Sequence, residues 1–243
     1  MWMICKKEWQ QFFSTITGYI AIILFLILNG LYLFVFADTN VLDFGYANLN
    51  SFFSIAPWLF LFLVPTVTMR SIAEEVKVGT FEILRTLPLT PMQIVVGKFF
   101  GAILITVAAL LPTVVYPICL QQLSSVGGID VGATIGSYIG LLLLGIAYTA
   151  IGIFTSSLTQ NTIVAFLVGA FICLLMYIGF DAISKLPFVP GGLAYYIELI
   201  GINFHYKSIS KGVVDVKDVV YFAALSITFL WLTRNKLMDN SAQ

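Results

Sequence analysis

Side chains that could carry out catalysis are few in this chain and lie far apart. His205 is the single histidine, so a metal site built from several histidines is excluded. Asp181, near the end of an apolar run, could join a proton path, but a lone acid at the interfacial end of a membrane span is more often solvated. No Ser–His–Asp set, no paired carboxylates and no G-x-x-x-x-G-K-S/T phosphate loop stand out. We therefore expect a non-catalytic chain without a cofactor or metal of its own.

The chemistry that the sequence does favour is molecular recognition through a charged segment at 70–98. Thr80 can cap a short helix at 81–87, which a proline then ends. Thr90 and Gln93 have the spacing of a capping box, with proline at the first helical position, and this box starts a second helix. Together the caps predict a rigid helical hairpin.

The first helix of this hairpin combines apolar side chains with charges of both signs. The apolar side chains are Phe81, Ile83, Leu84 and Leu87, and the charged ones around them are Glu74, Glu75, Lys77, Glu82 and Arg85. Such a surface suits the groove of a partner protein. Alternatively, the apolar side chains pack on the chain's own membrane domain and the charges are solvated.

The composition around this segment is that of a membrane protein. Hydrophobic residues make up 60% of the chain and charged residues 10%, against roughly 45–50% and about 25% in soluble domains. The formal net charge is zero, which gives no basic field for nucleic acid. We therefore predict an all-α integral membrane protein, with residues 1–243 forming one transmembrane domain in contact with lipid.

Apolar runs of spanning length predict six transmembrane helices. These runs are 19–37, 52–68, 99–120, 135–154, 163–180 and 216–232. Before the first run, Trp9, Phe12 and Phe13 recur at helical spacing, which indicates that residues 1–18 form a helix lying at the membrane interface. The alternative is that this segment is only the frayed start of the first span.

The distribution of Lys and Arg predicts the orientation. With six spans both termini share one side, and the cytoplasmic side carries the excess of basic residues. The side of the termini holds eight, Lys6, Lys7, Arg70, Lys77, Arg85, Lys98, Arg234 and Lys236, and the opposite side holds four, Lys185, Lys207, Lys211 and Lys217. Both termini are therefore predicted to be cytoplasmic.

Two further features lie on or near the predicted outer side. Gly132, Gly136 and Gly140 share one face of the fourth span, where small residues allow close helix packing; this face is either a dimer seam or an internal contact. The segment 184–215 is too polar and broken to span. Its apolar stretch predicts a short helix that is either re-entrant or lies on the membrane surface.

Two stretches of sequence carry a resemblance to a known family. EEVKVGTFEILRTLPLTPMQIVVGK at 74–98 resembles the cytoplasmic signature of type-2 ABC transporter permeases, the export class, and NFHYKSISKGVVDVKDVVYF at 203–222 resembles the stretch before their final span. The matching positions in the first stretch are Glu74, Glu75, Gly79, Thr80, Glu82, Leu84, Pro88, Gln93, Gly97 and Lys98. Arg85 departs from the pattern. In its length and its overall sequence character, the chain is most similar to the permease subunits associated with bacterial gliding motility.

The resemblance implies a division of labour between subunits. A separate ATPase, acting as a dimer, would hold ATP and Mg²⁺, and the loop would dock on it through Glu74, Glu75, Gly79, Thr80, Phe81, Glu82, Leu84 and Arg85. The permease would pair with a second copy of itself or with a larger accessory membrane subunit in the bacterial inner membrane. ATP-driven closure would then switch the spans between inward-facing and outward-facing states for export.

Two other functions stay open at this point. The same ATP-driven motion could power or assemble an envelope machine for motility or secretion without moving a solute. Less in keeping with the loop, the chain could be an autonomous channel or an ion-coupled carrier. The sequence does not name a substrate.

Overall fold

The computed structural model describes residues 1–36, 39–41, 48–86, 88–124, 128–187 and 189–239, and all regular structure in these ranges is helical. The α-helices are α1 Trp2–Phe13, α2 Ile16–Phe34, α3 Asn50–Thr68, α4 Ala73–Val78, α5 Thr80–Thr86, α6 Pro91–Leu110, α7 Val115–Leu123, α8 Val131–Leu158, α9 Thr162–Leu174, α10 Phe180–Ser184, α11 Gly191–Ile200, α12 Ile202–Ile209 and α13 Val216–Asp239. A 3₁₀ turn at Leu111–Val114 joins α6 to α7, and a π-helical turn at Leu175–Gly179 joins α9 to α10.

Six helical segments are long and apolar enough to cross a membrane, which confirms the predicted all-α, six-span class. They are Ile16–Phe34, Asn50–Val78, Pro91–Leu123, Val131–Leu158, Thr162–Ser184 and Val216–Met238. Most are longer than the apolar runs that predicted them, because polar caps continue the helices past the apolar core. Asp130, for example, accepts a hydrogen bond from the Ala133 amide and starts α8 four residues earlier than expected.

The bundle is built around three central helices, α3, α6 and α8. Of the most apolar 18-residue stretch of each span, 72% is buried in the span formed by α8, whereas only 22% is buried in the spans that contain α2 and α9. The outer helices therefore keep large apolar side chains exposed for lipid or for another membrane subunit. We call the end of the bundle that holds α1, the 69–90 hairpin and the last turns of α13 the basal end, and the opposite end the distal end.

Two prolines in the spans each leave one backbone carbonyl without its helical N–H partner, and a tyrosine hydroxyl donates to each of these carbonyls. Pro57 lies inside α3 and has no N–H for the Phe53 carbonyl, so the buried Tyr206 hydroxyl donates to that oxygen at 2.7 Å. Pro117 likewise frees the Thr113 carbonyl, which accepts from the Tyr138 hydroxyl at 2.9 Å. Pro117 lies just after the 3₁₀ turn, within α7.

The N-terminal helix ends earlier than the sequence indicated. Residues 1–18 were expected to form one helix, but the chain turns at Ser14–Thr15 and Gly18 belongs to the first turn of α2. A side chain at Gly18 would collide with the Phe12 carbonyl oxygen. The glycine therefore serves a close approach of α1 to α2.

The distal segment 184–215 contains two helices where the sequence predicted one. Gly201 is extended at φ −75° and ψ 136°, which ends α11 and starts α12. Ile202, Tyr206 and Ile209 are buried in the main core, whereas Leu193, Tyr196 and other side chains of α11 are exposed. The two helices of this segment therefore have different environments, with α12 packed on α8 and α11 outside it.

Candidate functional site

The basal hairpin is shaped by a left-handed glycine and a capping box. Gly79 has φ 79° and ends α4, and nothing lies within 4 Å of the position that a side chain would take. Thr80, predicted as a cap, instead begins α5, and its hydroxyl donates to the Glu75 carbonyl at 3.4 Å. The predicted box before α6 is confirmed: Gln93 N donates to Thr90 Oγ1 at 3.3 Å and Thr90 N to Gln93 Oε1 at 3.0 Å.

A buried ion cluster lies directly beneath this hairpin. The Lys98 ammonium on α6 is fully buried and lies 2.6 Å from Glu8 Oε1 and 2.7 Å from Glu75 Oε2. It also donates to the Ser71 carbonyl at 2.6 Å. On the other side, Lys7 donates to Glu75 Oε1 at 2.6 Å. We refer to Lys7, Glu8, Glu75 and Lys98 as the ion cluster; its two positive and two negative charges balance.

Glycines on α6 explain how α1 comes close enough to complete the cluster. A Cβ at Gly97 would lie 3.0 Å from the Ile4 Cβ, and a Cβ at Gly101 would lie 2.7 Å from the Glu8 Cβ. The two glycines are four residues apart and form a smooth strip on one face of α6. Because α1 lies against that strip, the Glu8 side chain reaches Lys98 without extending through solvent.

A serine on α8 joins the hairpin to the central helix. The Ser156 hydroxyl accepts hydrogen bonds from the Ile72 and Ala73 amides, each at 3.0 Å, and donates to the Met69 carbonyl at 3.1 Å. These amides belong to the start of α4, where helical N–H groups have no partner within the helix. The turn between α3 and α4 is thereby held on the basal end of α8.

Two apolar residues of α5 pack inward. Phe81 is 6% exposed and Leu84 is 9% exposed, and both lie in a core with Ile72 and Ile94, to which Leu237 of α13 also belongs. Packing on the chain's own domain is thus the arrangement found for these two side chains. They support the hairpin from beneath.

The outward surface of the hairpin consists of its tip and its acids. Lys77, Val78, Gly79 and Glu82 are exposed, and Glu74 and Thr80 are half-buried. Glu75, next to Glu74 in sequence, is 4% exposed and bound within the ion cluster, so it presents no carboxylate to a partner in this conformation. The side chain of Arg85 lies outside the described residues.

An open cleft of about 400 Å³ adjoins the tip and extends the candidate surface. The hairpin contributes Gly79 and Glu82 to its walls, the connection between α8 and α9 contributes Gln160, and the end of α13 contributes Lys236. Sequence analysis missed the contributions of Gln160 and Lys236. The three-residue connection between α8 and α9 carries no charge that would have marked it.

The remaining sequence-predicted residues lie at the distal end. A Cβ at Gly136 would lie 2.9 Å from the Gly212 Cα, and one at Gly140 would lie 3.2 Å from Ile209, whereas Gly132 has only the Asp130 carboxylate near it, at 3.4 Å. In this structure, then, Gly136 faces the turn that follows α12, and Gly140 faces α12 itself.

The groups weighed for catalysis are engaged in local bonds. His205 Nδ1 lies 2.7 Å from Asp218 Oδ1 and Nε2 lies 2.9 Å from the Leu199 carbonyl, which ties α12 to α13. Asp181 accepts from Lys185 at 2.6 Å. Across the described ranges, no group of three or more His, Cys, Asp or Glu side chains could hold a metal ion.

Comparison with protein families gives a match. Residues 43–233 match a family model described as ABC-2 family transporter protein. The match includes the hairpin, Lys98, Ser156 and the distal segment, while α1 with its Glu8 lies before it. No curated protein matches the chain significantly.

Proposed function

This chain belongs to the ABC-2 family of transporter proteins, and on that premise we propose that it is the permease subunit of an ATP-driven exporter. The family consists of membrane components of ABC transporters, so an ABC ATPase is the implied partner. ATP and Mg²⁺ would be held by that partner. The role of this chain is then to convert nucleotide-driven movement of the ATPase into movement of the spans.

The exposed side of the hairpin is the proposed docking surface. Gly79, Thr80, Glu82 and the half-buried Glu74 would touch the ATPase, together with the cleft toward Gln160. Phe81 and Leu84 act beneath this surface, where their burial fixes the orientation of α5. The proposal for Arg85 rests on its place in the sequence.

The observation that carries the proposal is the direct link from this surface to the ion cluster. Glu75 lies on α4 within four residues of the Gly79 tip and is bound by Lys98 of α6 and Lys7 of α1. Separating charges that are buried together is costly. Movement of the hairpin would therefore displace α1 and α6 with it, because moving α4 away from them would separate these buried charges.

We further propose that the basal end faces the cytoplasm and that the membrane is the bacterial inner membrane. The excess of Lys and Arg on the basal side supports this orientation. Export direction, a link to gliding motility, and pairing with a second permease or a larger accessory subunit are supported by the sequence resemblance described above. An ATPase can drive the change only if it binds the two conformations with different free energies.

Affinity purification of the tagged chain in mild detergent tests the docking surface. Wild type, Glu82→Lys at the basal tip and Glu198→Lys in the distal segment are compared, with bound proteins identified and ATP hydrolysis measured. The two variants make the same charge reversal at opposite ends of the molecule. We expect an ATPase with wild type and Glu198→Lys, and about tenfold less with Glu82→Lys, because a charge reversal within an interface costs more than one at a distance.

The possible outcomes separate two kinds of failure. Equal recovery of the ATPase with both variants would leave the permease function standing and move the contact away from Glu82. No ATPase with wild type in several detergents and in native lipid discs would contradict the permease function itself.

A further inference from the structure

A large cavity opens at the distal end, far from the proposed docking surface. It has a volume of about 770 Å³ and lies between the start of α3, the start of α8, the π-helical turn and α12. Sites that bind small molecules typically occupy about 300–1,000 Å³. The cavity is therefore of a size to take an organic ligand.

The inner wall of the cavity is aromatic. Tyr177 and Tyr206 are 6% and 3% exposed, and Trp58 stands edge-on to Tyr177 with the ring centroids 6.1 Å apart. The Tyr206 hydroxyl is committed to the Phe53 carbonyl, and burial raises the pKa of Tyr206 well above its usual value, so it stays a neutral donor. This wall offers ring faces and edges to an apolar body.

The backbone presents this wall through an irregular turn. Tyr177 and Ile178 belong to the π-helical turn at Leu175–Gly179, and both line the cavity. A π turn inserts an extra residue into a helix and is rare, and in proteins it occurs frequently at functional sites. A regular helix through this region would place these side chains differently.

The rim of the cavity carries a positive charge that none of the described residues neutralises. Lys207 and Lys211 are exposed on the rim, and neither takes part in an ion pair with the residues that the structure describes. Asp181 is also on the rim, but its carboxylate binds Lys185, whose pKa is raised by that hydrogen bond and by the attraction of the same charge. The two ammonium groups thus favour an anion.

We propose that the distal cavity binds an amphipathic anion, with its acidic group between Lys207 and Lys211 and its apolar body against Trp58 and Tyr177. The acidic group can belong to the headgroup of a membrane lipid or to a water-soluble organic phosphate, and both have the same chemistry at the rim. This inference goes beyond the proposed function, because binding here requires neither the ATPase nor its docking surface.

Quenching of Trp58 fluorescence by brominated probes tests the site in the full-length chain in phosphatidylcholine nanodiscs. The soluble probe is para-bromophenyl phosphate. The lipid probe is phosphatidylglycerol brominated near the head of its acyl chain, compared with phosphatidylcholine brominated at the same place. Trp58→Phe identifies the part of the quenching that belongs to this tryptophan.

Two variants decide whether the lysines matter. We expect saturable quenching by at least one anionic probe, with an apparent affinity about tenfold weaker in Lys207→Gln/Lys211→Gln and unchanged in Lys217→Gln, an exposed lysine outside the cavity. Saturation by the phosphate identifies a soluble ligand, and selective quenching by brominated phosphatidylglycerol identifies a lipid.

The proposal is overturned if neither anionic probe quenches Trp58, or if the double variant is quenched as strongly as wild type by both. Because all three lysines are exposed, the variants should elute as wild type does in size-exclusion chromatography. Since no ATPase is present, failure here would leave the permease function untouched, and success would not depend on it.

Discussion

Replacing Lys98 by methionine is the most direct perturbation of the ion cluster. The Lys98 ammonium meets Glu8 at 2.6 Å, Glu75 at 2.7 Å and the Ser71 carbonyl at 2.6 Å, with none of the side chain exposed. Methionine is similar in length and volume, so Lys98→Met leaves little cavity. The change is therefore mainly electrostatic: two buried carboxylates lose their shared cation.

The expected loss follows from which charge is left without a partner. Removing one partner of a buried ion pair typically costs about 3–5 kcal/mol. Glu75 keeps Lys7 at 2.6 Å, so the uncompensated charge falls mainly on Glu8, which is 13% exposed in its side chain. We expect Lys98→Met to lower the free energy of unfolding by about 3 kcal/mol, out of a total of about 5–15 kcal/mol for a typical protein.

A second substitution separates charge from packing. In Lys98→Met/Glu8→Gln the remaining pair, Lys7 with Glu75, is neutral, so about half or more of the lost free energy should return. The control is Lys207→Met, the same substitution on an exposed lysine, which should stay within about 0.5 kcal/mol of wild type. Reversible unfolding in mixed micelles of mild detergent and dodecyl sulfate, followed by circular dichroism, measures all four proteins.

Two results would refute the reasoning. A loss below about 1 kcal/mol for Lys98→Met would mean that water screens these charges as it does at a surface. A double variant less stable than Lys98→Met would mean that Glu8 is not the orphaned charge.

Two further predictions use glycine and proline contacts. Tyr206→Phe should lower the free energy of unfolding by about 1–3 kcal/mol, because the Phe53 carbonyl loses its donor. Adding Pro57→Ala should restore part of this loss by returning an amide to that carbonyl. The same unfolding titration measures both variants, and no effect of Pro57→Ala in the Tyr206→Phe background would contradict the pairing. Gly101→Ala should loosen α1 from α6, because its methyl group would lie 2.7 Å from the Glu8 Cβ. Proteolysis near the N-terminus should then be several-fold faster. Gly132→Ala is the control: its methyl group would lie near only the Asp130 carboxylate, at 3.4 Å, and the cleavage rate should be unchanged.

Features that depend on neighbouring residues could be predicted from the sequence. The six spans follow from length and hydropathy, and the box at Thr90 and Gln93 follows from a spacing of three residues. The start of α13 at Val216 follows in the same way from the acids around it. In each case the signal and the structure lie within a few turns of helix.

The ion cluster could not be predicted, because its members are distant in sequence. Glu8 and Lys98 are 90 residues apart, and Lys7 and Glu75 are 68 apart. Sequence analysis does not distinguish Glu74 from Glu75, because both are acids of the same loop. In the structure, however, Glu74 is half-buried and Glu75 is 4% exposed. Which of two adjacent acids points inward depends on where α6 lies, and that is a property of the assembled bundle.

The pairing of tyrosines with prolines was out of reach for the same reason. Pro57 and Pro117 each indicate that the carbonyl four residues earlier lacks its helical donor, but Tyr206 is 153 residues from its acceptor. The chain contains 11 tyrosines, and nothing in the local sequence identifies the two that donate to these carbonyls. The sequence therefore shows the need for a donor and leaves its identity to the tertiary structure.

The contact between Glu8 and Lys98 also orders events while the chain is being made. A ribosome synthesises α1, α2 and α3 before Lys98, so the Glu8 carboxylate has no cation from α6 until the third span emerges. Insertion of α6 then joins the earliest helix of the nascent chain to its newest one. A chain that stops before that point lacks α6, the helix against which α1 packs most extensively.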